Sequence, residues 1–367
     1  MNIILNIRNL NAGGAERVAV LVARGLQTLG NSVTLAVCQV SAMEERRYSD
    51  LIIVNLHAKK PLRQGHALAR LVMKIQPDAV IAFGINVGIG AALSQRIWWR
   101  RVPLVLRNEN NLPQEWAGAS LFNRHIGPAL SRWAARHAHV VAVSQSLTHP
   151  TADYLRLPTK RVSTILNPVL GDTFPVESGS RSALHPWLRD SECPVFVAMG
   201  RLEHQKGFDV LINAFARVRQ EGQARLVIFG QGSLQAALQA QIDALEMQEM
   251  VTLAGHTDHA MAQMQAAHAF VLSSRFEGFG LVLVEALHAG AQVIATRCDY
   301  GPAEILEDGR YGTLVPVDDP AALSAAMRDS LDGRIALPRP PEAWFERFTA
   351  TAAARQHIAL IKSLRGR

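Results

Sequence analysis

The feature that most restricts the fold is a beat of short apolar segments alternating with amphipathic ones, and it runs twice. In the first half, residues 2–7 (NIILNI), Val33–Val40, Ala79–Phe83, Pro103–Leu106 and Val140–Val143 read as buried strands. Glu16–Leu29, Gly65–Ile75 and Ser131–His137 carry apolar residues at helical spacing between them. In the second half Val195–Met199, Arg225–Phe229, Val251–Leu253, Ala269–Leu272 and Gln292–Ala295 are strand-like, with helical patterns over Phe208–Glu221, Leu234–Leu245, Gly280–Ala289 and Pro320–Leu331. Such alternation predicts parallel sheets covered by helices on both faces. Between the halves, Val169–Pro194 holds Gly171, Pro175, Gly179, Pro186 and Pro194 and sustains neither period. The expected architecture is therefore α/β, with two doubly wound, Rossmann-like domains facing across a cleft. Residues 1–170 form the first domain, 171–194 a linker and 195–340 the second. Residues 341–367, helical from Glu342 onward, are expected to pack back toward the first.

A chain of 367 residues, 49% hydrophobic and 19% charged, is long enough for two cores and excludes a disordered tail, a collagen-like fibre and a small disulfide scaffold. Cys38, Cys193 and Cys298 are isolated, so reduced thiols are expected rather than a disulfide framework or a zinc knuckle. Asn6 and Arg8 interrupt the apolar start before a signal-peptide core could form. The longest weakly polar stretch, Ala79–Leu93, falls short of the roughly 20 residues that span a bilayer. Charge is unevenly divided: residues 1–170 carry 20 Lys+Arg against 8 Asp+Glu, and residues 171–367 carry 18 against 23. A basic first half predicts an anionic partner, either lipid headgroups, a lipid-linked diphosphate or nucleic acid. Nucleic acid is the weakest of these, because no nucleic-acid motif is present and aromatic residues make up only 6%.

In open parallel sheets ligands lie beyond the carboxyl ends of the strands, so the loops there carry the chemistry. Four stand out. Asn11–Arg17 (NAGGAER) has paired glycines, Gly13 and Gly14, that let the backbone approach a phosphate at a helix N-terminus; a tight turn explains them equally well. Gly200–Gly207 (GRLEHQKG) sets Arg201 and Lys206 between two glycines, a guanidinium fork and an ammonium suited to a diphosphate. Arg275–Gly280 (RFEGFG) runs into a helix that carries Glu285 among Val282, Leu283, Ala286 and Leu287; a carboxylate on such a face needs a partner, either an arginine or a ribose diol. Cys298–Glu304 (CDYGPAE) is a further glycine turn.

Together, Gly200–Ala216 (GRLEHQKGFDVLINAFA), Glu277 with Glu285, and the Gly-Pro-Ala-Glu-Ile turn at 301–305 resemble the retaining GT-B glycosyltransferases of family 4. The resemblance covers nearly the whole chain, since GGAERV at 13–18 and ILNPV at 165–169 are similar to first-domain segments of bacterial polysaccharide members. It implies that Arg201 and Lys206 bind the donor's diphosphate, Glu285 its ribose hydroxyls and Glu277 the hydroxyls of the transferred sugar. Gly278, Phe279 and Gly280 belong to the same donor loop. Gly13 and Gly14 would approach the donor from the opposite domain, and Gly255 and His256 would contact the base. Family members usually need no metal, in keeping with the lack of any Asp-x-Asp here, and the nucleotide sugar is a substrate rather than a cofactor.

Many relatives place a sugar-touching histidine after the strand that corresponds to Pro103–Leu106. This chain reads Arg107-Asn108-Glu109-Asn110-Asn111, and Glu109 is the nearest substitute, either a base or a positioning group for a sugar hydroxyl or part of an exposed polar loop. Trp98-Trp99-Arg100-Arg101 and Lys59, Lys60 and Arg63 join indoles to cations, a composition suited to an anionic membrane surface, although tryptophans at the end of a helix are as readily part of a core. The resemblance thus implies a retaining hexosyltransferase, which the basic first half would place peripherally on the inner face of the cytoplasmic membrane. It would move a hexose or N-acetylhexosamine from a UDP-linked donor to a lipid-linked or lipopolysaccharide glycan acceptor. A nucleotide-sugar epimerase and a non-catalytic nucleotide-sugar-binding protein are the alternatives, and the Glu277–Glu285 pair fits the transferase pattern better than either.

Overall fold

Stretches of consecutive apolar residues build the centre of each of two parallel sheets in a computed structural model of the chain. It describes residues 1–366 apart from 12, 96, 98–101, 118–120, 172–180, 190–192 and 220–222. One unit comprises Met1–Thr173 with Glu346–Arg367, and the other Phe174–Phe345.

In the first unit the strands are β1 (Asn2–Ile7), β2 (Ser32–Val37), β3 (Ile52–Asn55), β4 (Ala79–Phe83), β5 (Leu104–Asn108), β6 (His139–Ala142) and β7 (Val162–Thr164). They pair in parallel in the order β3-β2-β1-β4-β5-β6-β7, so the direction of winding reverses between β1 and β4. Ile3, Ile4 and Leu5 of β1 and all of β4 are buried, as strands covered on both faces must be. The helix Gly14–Thr28 follows β1 and packs against the helix Ala350–Arg365. Contact between these helices is close at Gly25, where a Cβ would overlap the Ala350 carbonyl. The helix Ala350–Arg365 starts at Thr349, whose hydroxyl accepts from Ala352 N at 2.9 Å. Leu170 N donates to Phe348 O at 3.1 Å, and Ala350 N to Leu170 O at 3.1 Å.

The second unit has β8 (Val195–Met199), β9 (Arg225–Phe229), β10 (Val251–Gly255), β11 (Ala269–Leu272), β12 (Val293–Thr296) and β13 (Thr313–Val315), parallel in the order β10-β9-β8-β11-β12-β13. Winding reverses here between β8 and β11. Phe196 of β8 and Phe215 of the helix Phe208–Arg219 meet edge to face at 6.4 Å within a cluster of buried apolar side chains.

The structure corrects several sequence expectations. Residues 341–367 are not one helix: Glu342–Phe345 is a short helix of the second unit, residues 346–348 form a 3-10 turn, and the Thr349 cap starts a new helix in the first. The helix expected from Gly280 begins at Leu281, because Gly280 has φ +94° and cannot propagate it. Gly255, expected after its strand, closes β10. Much of 171–194 lies outside the described residues, and its described part carries a 3-10 turn at Arg181–Ala183 and a short helix at Pro186–Arg189.

Candidate active site

Two loops leave the carboxyl ends of β8 and β11 where the winding of the second unit reverses, the place where open α/β sheets hold ligands. Glycines line this edge: Gly200 N donates to Phe229 O at 3.0 Å, and Gly230 N to Gly255 O at 2.7 Å. A Cβ at Gly230 would overlap the Gly200 carbonyl, so the edge stays bare of side chains.

The loop after β8 turns through a 3-10 helix, His204–Lys206, and Gly207 ends it at φ +60°. A Cβ at Gly207 would overlap the Ser273 carbonyl, and that closeness lets the two loops lock together. Arg275 N donates to Gln205 O at 2.7 Å, Gln205 Nε2 to Phe276 O at 3.0 Å, and Ser273 Oγ to Lys206 O at 2.8 Å. Arg275 completes the lock with two bonds to the Asp209 carboxylate, at 2.9 and 2.7 Å, and one to Asp318 at 2.7 Å. Burial pushes the Asp209 carboxyl up, but hydrogen bonds from Arg275, its positive charge and backbone donors together bring it below the usual carboxylate value.

The consequence of this locking is an ion pair. Lys206 Nζ donates to Glu277 Oε1 at 2.6 Å, with side chains only 14% and 7% exposed. Ser274 Oγ donates to the same Oε1 at 2.6 Å. Both donors land on one oxygen of the carboxylate. Lys206 therefore reaches its place already engaged with Glu277, and its ammonium keeps further N–H groups for a second acceptor. Arg201 is exposed, and its guanidinium donates to Gln205 Oε1 at 3.2 Å. Gly278, Phe279 and Gly280 are buried in the loop that continues from Glu277. Glu285 is 6% exposed inside the helix Leu281–Ala289. His256 lies beyond β10 and is exposed, with Nε2 3.4 Å from Asp258 Oδ1. Cys298 lies near the pair; burial, and then the Glu277 charge, push its thiol up to about 12, so it does not serve as a nucleophile at neutral pH.

In the first unit, Gly13 caps the helix Gly14–Thr28 with extended backbone and no side-chain capping bond, and Gly13 N donates to Asn11 O at 2.6 Å. The Glu16 carboxylate folds back over Gly13, where a Cβ would overlap it. Glu109 follows β5, and Arg107 Nε donates to its Oε1 at 2.8 Å. The expectation of an exposed polar loop fails there, since the Glu109 side chain is 12% exposed and its Oε2 is buried without a partner. Lys59, Lys60 and Arg63 are all exposed. Trp98, Trp99, Arg100 and Arg101 lie outside the described residues.

Reasoning from the sequence missed Arg275, Ser274 and Gln205 as the fittings that bring Lys206 to Glu277. It also missed Arg107, although an arginine inside the apolar run Leu104–Asn108 signals a buried charge with dedicated partners. Among the described residues no group of three or more His, Cys, Asp and Glu is placed to hold a metal, and no helix is long and apolar enough to cross a membrane.

Comparison with known proteins agrees with this architecture. The family model for Glycosyltransferase Family 4 matches residues 12–169, and that for Glycosyl transferases group 1 matches residues 184–343. The chain belongs to the GT-B glycosyltransferases of the family 4 type. An uncharacterized glycosyltransferase of Methanocaldococcus jannaschii is 40% identical over 280 residues, 70% of this chain and 66% of that protein. An N-acetylgalactosaminyltransferase of Campylobacter jejuni that acts on an N-acetylgalactosamine-N,N'-diacetylbacillosaminyl-diphospho-undecaprenol is 33% identical over 136 residues, 37% of each chain. The chain thus spans just under two thirds of the first of these relatives and little more than a third of the second. Among solved structures, Anabaena HepE in complex with UDP and glucose superposes with a TM-score of 0.79 at 20% identity, covering 99% of this chain and 100% of that one. The lipopolysaccharide outer core galactosyltransferase WaaB does so with 0.74 at 18%, covering 99% of each.

Proposed function

We propose that this protein is a retaining hexosyltransferase that moves a hexose or N-acetylhexosamine from a UDP-linked donor to a lipid-linked or lipopolysaccharide glycan acceptor. The observation that carries the reading is the Lys206–Glu277 pair, fixed at 2.6 Å where the second sheet reverses its winding and next to the exposed Arg201. Lys206 and Arg201 take the diphosphate oxygens, and the charge they supply stabilises the leaving nucleoside diphosphate as it develops. Glu277 Oε2 accepts hydroxyls of the transferred sugar, Glu285 accepts those of the ribose, and Gly255 and His256 border the base. The bond from the anomeric carbon to the phosphate oxygen breaks with its electron pair going to that oxygen. The acceptor hydroxyl oxygen bonds to the same carbon on the same face, and its proton passes to the departing phosphate. No step needs a metal or an organic cofactor. UDP in HepE and the diphospho-undecaprenol acceptor of the Campylobacter enzyme support the choice of donor and acceptor classes.

The acceptor reading also rests on the first unit's surface. Residues 51–77 contain no Asp or Glu, and carry Lys59, Lys60, Arg63, Arg70 and Lys74. On the helix Pro61–Ile75, Leu62 is 75% exposed and Met73 46%, beside these cations. Such a mixture suits an anionic membrane surface on the cytoplasmic side. A thermal-shift screen against UDP, GDP, ADP and their sugar conjugates tests the donor assignment, because a ligand of the folded state raises the melting temperature. Stabilisation by UDP and UDP-sugars is expected; stabilisation by GDP or ADP compounds alone overturns the UDP assignment, and none by any overturns the donor site.

A further inference from the structure

The loop that leaves β12, Cys298–Glu304, has no part in the transfer chemistry above, yet the chain is stitched from Thr296 onward to the loop that carries Glu277. Thr296 Oγ1 donates to Ser274 O at 2.5 Å, Glu277 N donates to Asp299 O at 3.4 Å, and Phe276 and Asp299 form a parallel bridge. A Cβ at Gly301, where φ is +92°, would overlap the Phe279 carbonyl. Tyr300 therefore stands between two fixed neighbours, one bonded to Glu277 and the other pressed on Phe279. All of these residues belong to the second unit.

Held in this way, Tyr300 takes φ +60°. Left-handed backbone at a non-glycine residue is strained by its own Cβ, and bulky side chains are seldom found there. Gln76, Arg156 and Glu246 also have positive φ, but each ends a helix, where that conformation closes the last turn. Tyr300 ends none. Strain of this kind persists where the surrounding structure over-determines it, and it gathers at ligand sites. A glycine would take the same backbone without strain, so what the tyrosine adds at this position is its side chain.

That side chain is half-buried. Burial, and then the Asp299 charge, push its hydroxyl above the usual tyrosine value, so it stays a neutral donor. An aromatic face with a neutral hydroxyl at its tip, next to an acidic residue, is a poor seat for a diphosphate. It suits a pyranose, which offers C–H groups on its face and hydroxyls at its rim.

We propose that Tyr300 determines which sugar the site accepts: its ring forms a wall against the C–H face of the hexose whose hydroxyls bind Glu277, and the strained backbone holds it there. This inference rests on the glycosyl-transfer reading above. It is tested on Tyr300→Gly, Tyr300→Ala and Tyr300→Phe by melting temperature and by titration calorimetry with UDP, UDP-glucose, UDP-galactose, UDP-N-acetylglucosamine and UDP-N-acetylgalactosamine. Glycine and alanine both remove the ring, but only alanine keeps a Cβ in the left-handed region, so Tyr300→Gly melts about 2–4 °C above Tyr300→Ala. Both weaken binding of the sugar donor that wild type binds best on the order of tenfold, and both leave the affinity for UDP, which has no sugar, within about twofold. The spread of affinities among the four donors narrows in these two variants. Tyr300→Phe keeps the ring, stays within about twofold of wild type for both ligands and preserves the spread.

Wild-type affinity for the sugar donor in Tyr300→Gly removes the ring from the sugar pocket and overturns the inference. An equal loss for UDP and for the sugar donor also overturns it, since Tyr300 would then lie against the nucleotide. Equal melting temperatures for the glycine and alanine variants overturn the strained placement on which it stands. If wild type binds neither UDP nor any of the four donors, the transfer reading itself falls.

Discussion

Replacing Lys206 by methionine separates what its ammonium does for the fold from what it does for transfer. The side chain keeps its length and loses its charge, which leaves Glu277, 7% exposed, with only the Ser274 hydroxyl on Oε1. Breaking a buried pair by removing one partner costs about 3–5 kcal/mol. The remaining hydroxyl and the residual exposure place this case near about 3 kcal/mol. For a unit of this size each kcal/mol lowers the melting temperature by roughly 2–4 °C, so a fall of about 6–12 °C is expected in calorimetry. The double variant Lys206→Met with Glu277→Gln removes both charges and should recover to within about 1 kcal/mol of wild type, since replacing a whole buried pair is often neutral. Activity should not recover: both variants release UDP from the donor at least about 100-fold more slowly, the scale of losing one stabilising donor at a developing negative charge. A single variant that melts with wild type would refute the energetic argument. Wild-type turnover in the double variant would remove Lys206 from the diphosphate.

Three other outcomes follow from the structure. Gly207→Ala, at φ +60° and with its new methyl overlapping the Ser273 carbonyl, should destabilise the second unit by at least about 2 kcal/mol and weaken UDP binding; full stability would show that the two loops can part freely. Below pH 6.5 an unfolded chain protonates His357 while the native protein does not, down to about 3, so stability declines as the pH falls through that window and is unaffected by this group above it. At about 1.4 kcal/mol per unit, moving from pH 7.5 to 5.0 should cost wild type about 2 kcal/mol more than His357→Gln in urea unfolding, and equal losses would contradict a neutral buried imidazole. Binding to vesicles containing phosphatidylglycerol should weaken between low and high salt and vanish when Lys59, Lys60 and Arg63 are replaced by Gln; salt-independent binding would argue against docking by charge.

Much of the fold could be read from the sequence because parallel strands buried on both faces are nearly continuous apolar runs: β1, β4, β8 and β11 stand where the hydrophobic segments do. What escaped were β3, β7 and β13, three or four residues each at sheet edges, too short and too mixed to show a period. The break at Thr349 escaped because the apolar pattern runs across it and only the cap marks it. At the candidate site, Arg201 and Lys206 stood out as cations between two glycines and Glu285 as a carboxylate on an apolar helix, while the roles given to them and to Glu277 came from the family resemblance. The pairing of Lys206 with Glu277, 71 residues apart, was not legible, since it depends on β8 and β11 being neighbours. The contact of Arg107 with His357 spans 250 residues and no local pattern announces it.

That long span has a consequence for how the protein is made. The first sheet leaves the ribosome early, and the complete second unit follows it before Glu346–Arg367 returns to the first. Translation at about 5–20 residues per second would separate Arg107 from His357 by roughly 12–50 s. During that interval the nascent first unit holds a buried-type arginine without its imidazole and an uncovered Gly14–Thr28 helix, while the second unit is being made. The part of the chain born first is thus finished last, and a ribosome that stalls after residue 345 would release a folded second unit beside an open first one.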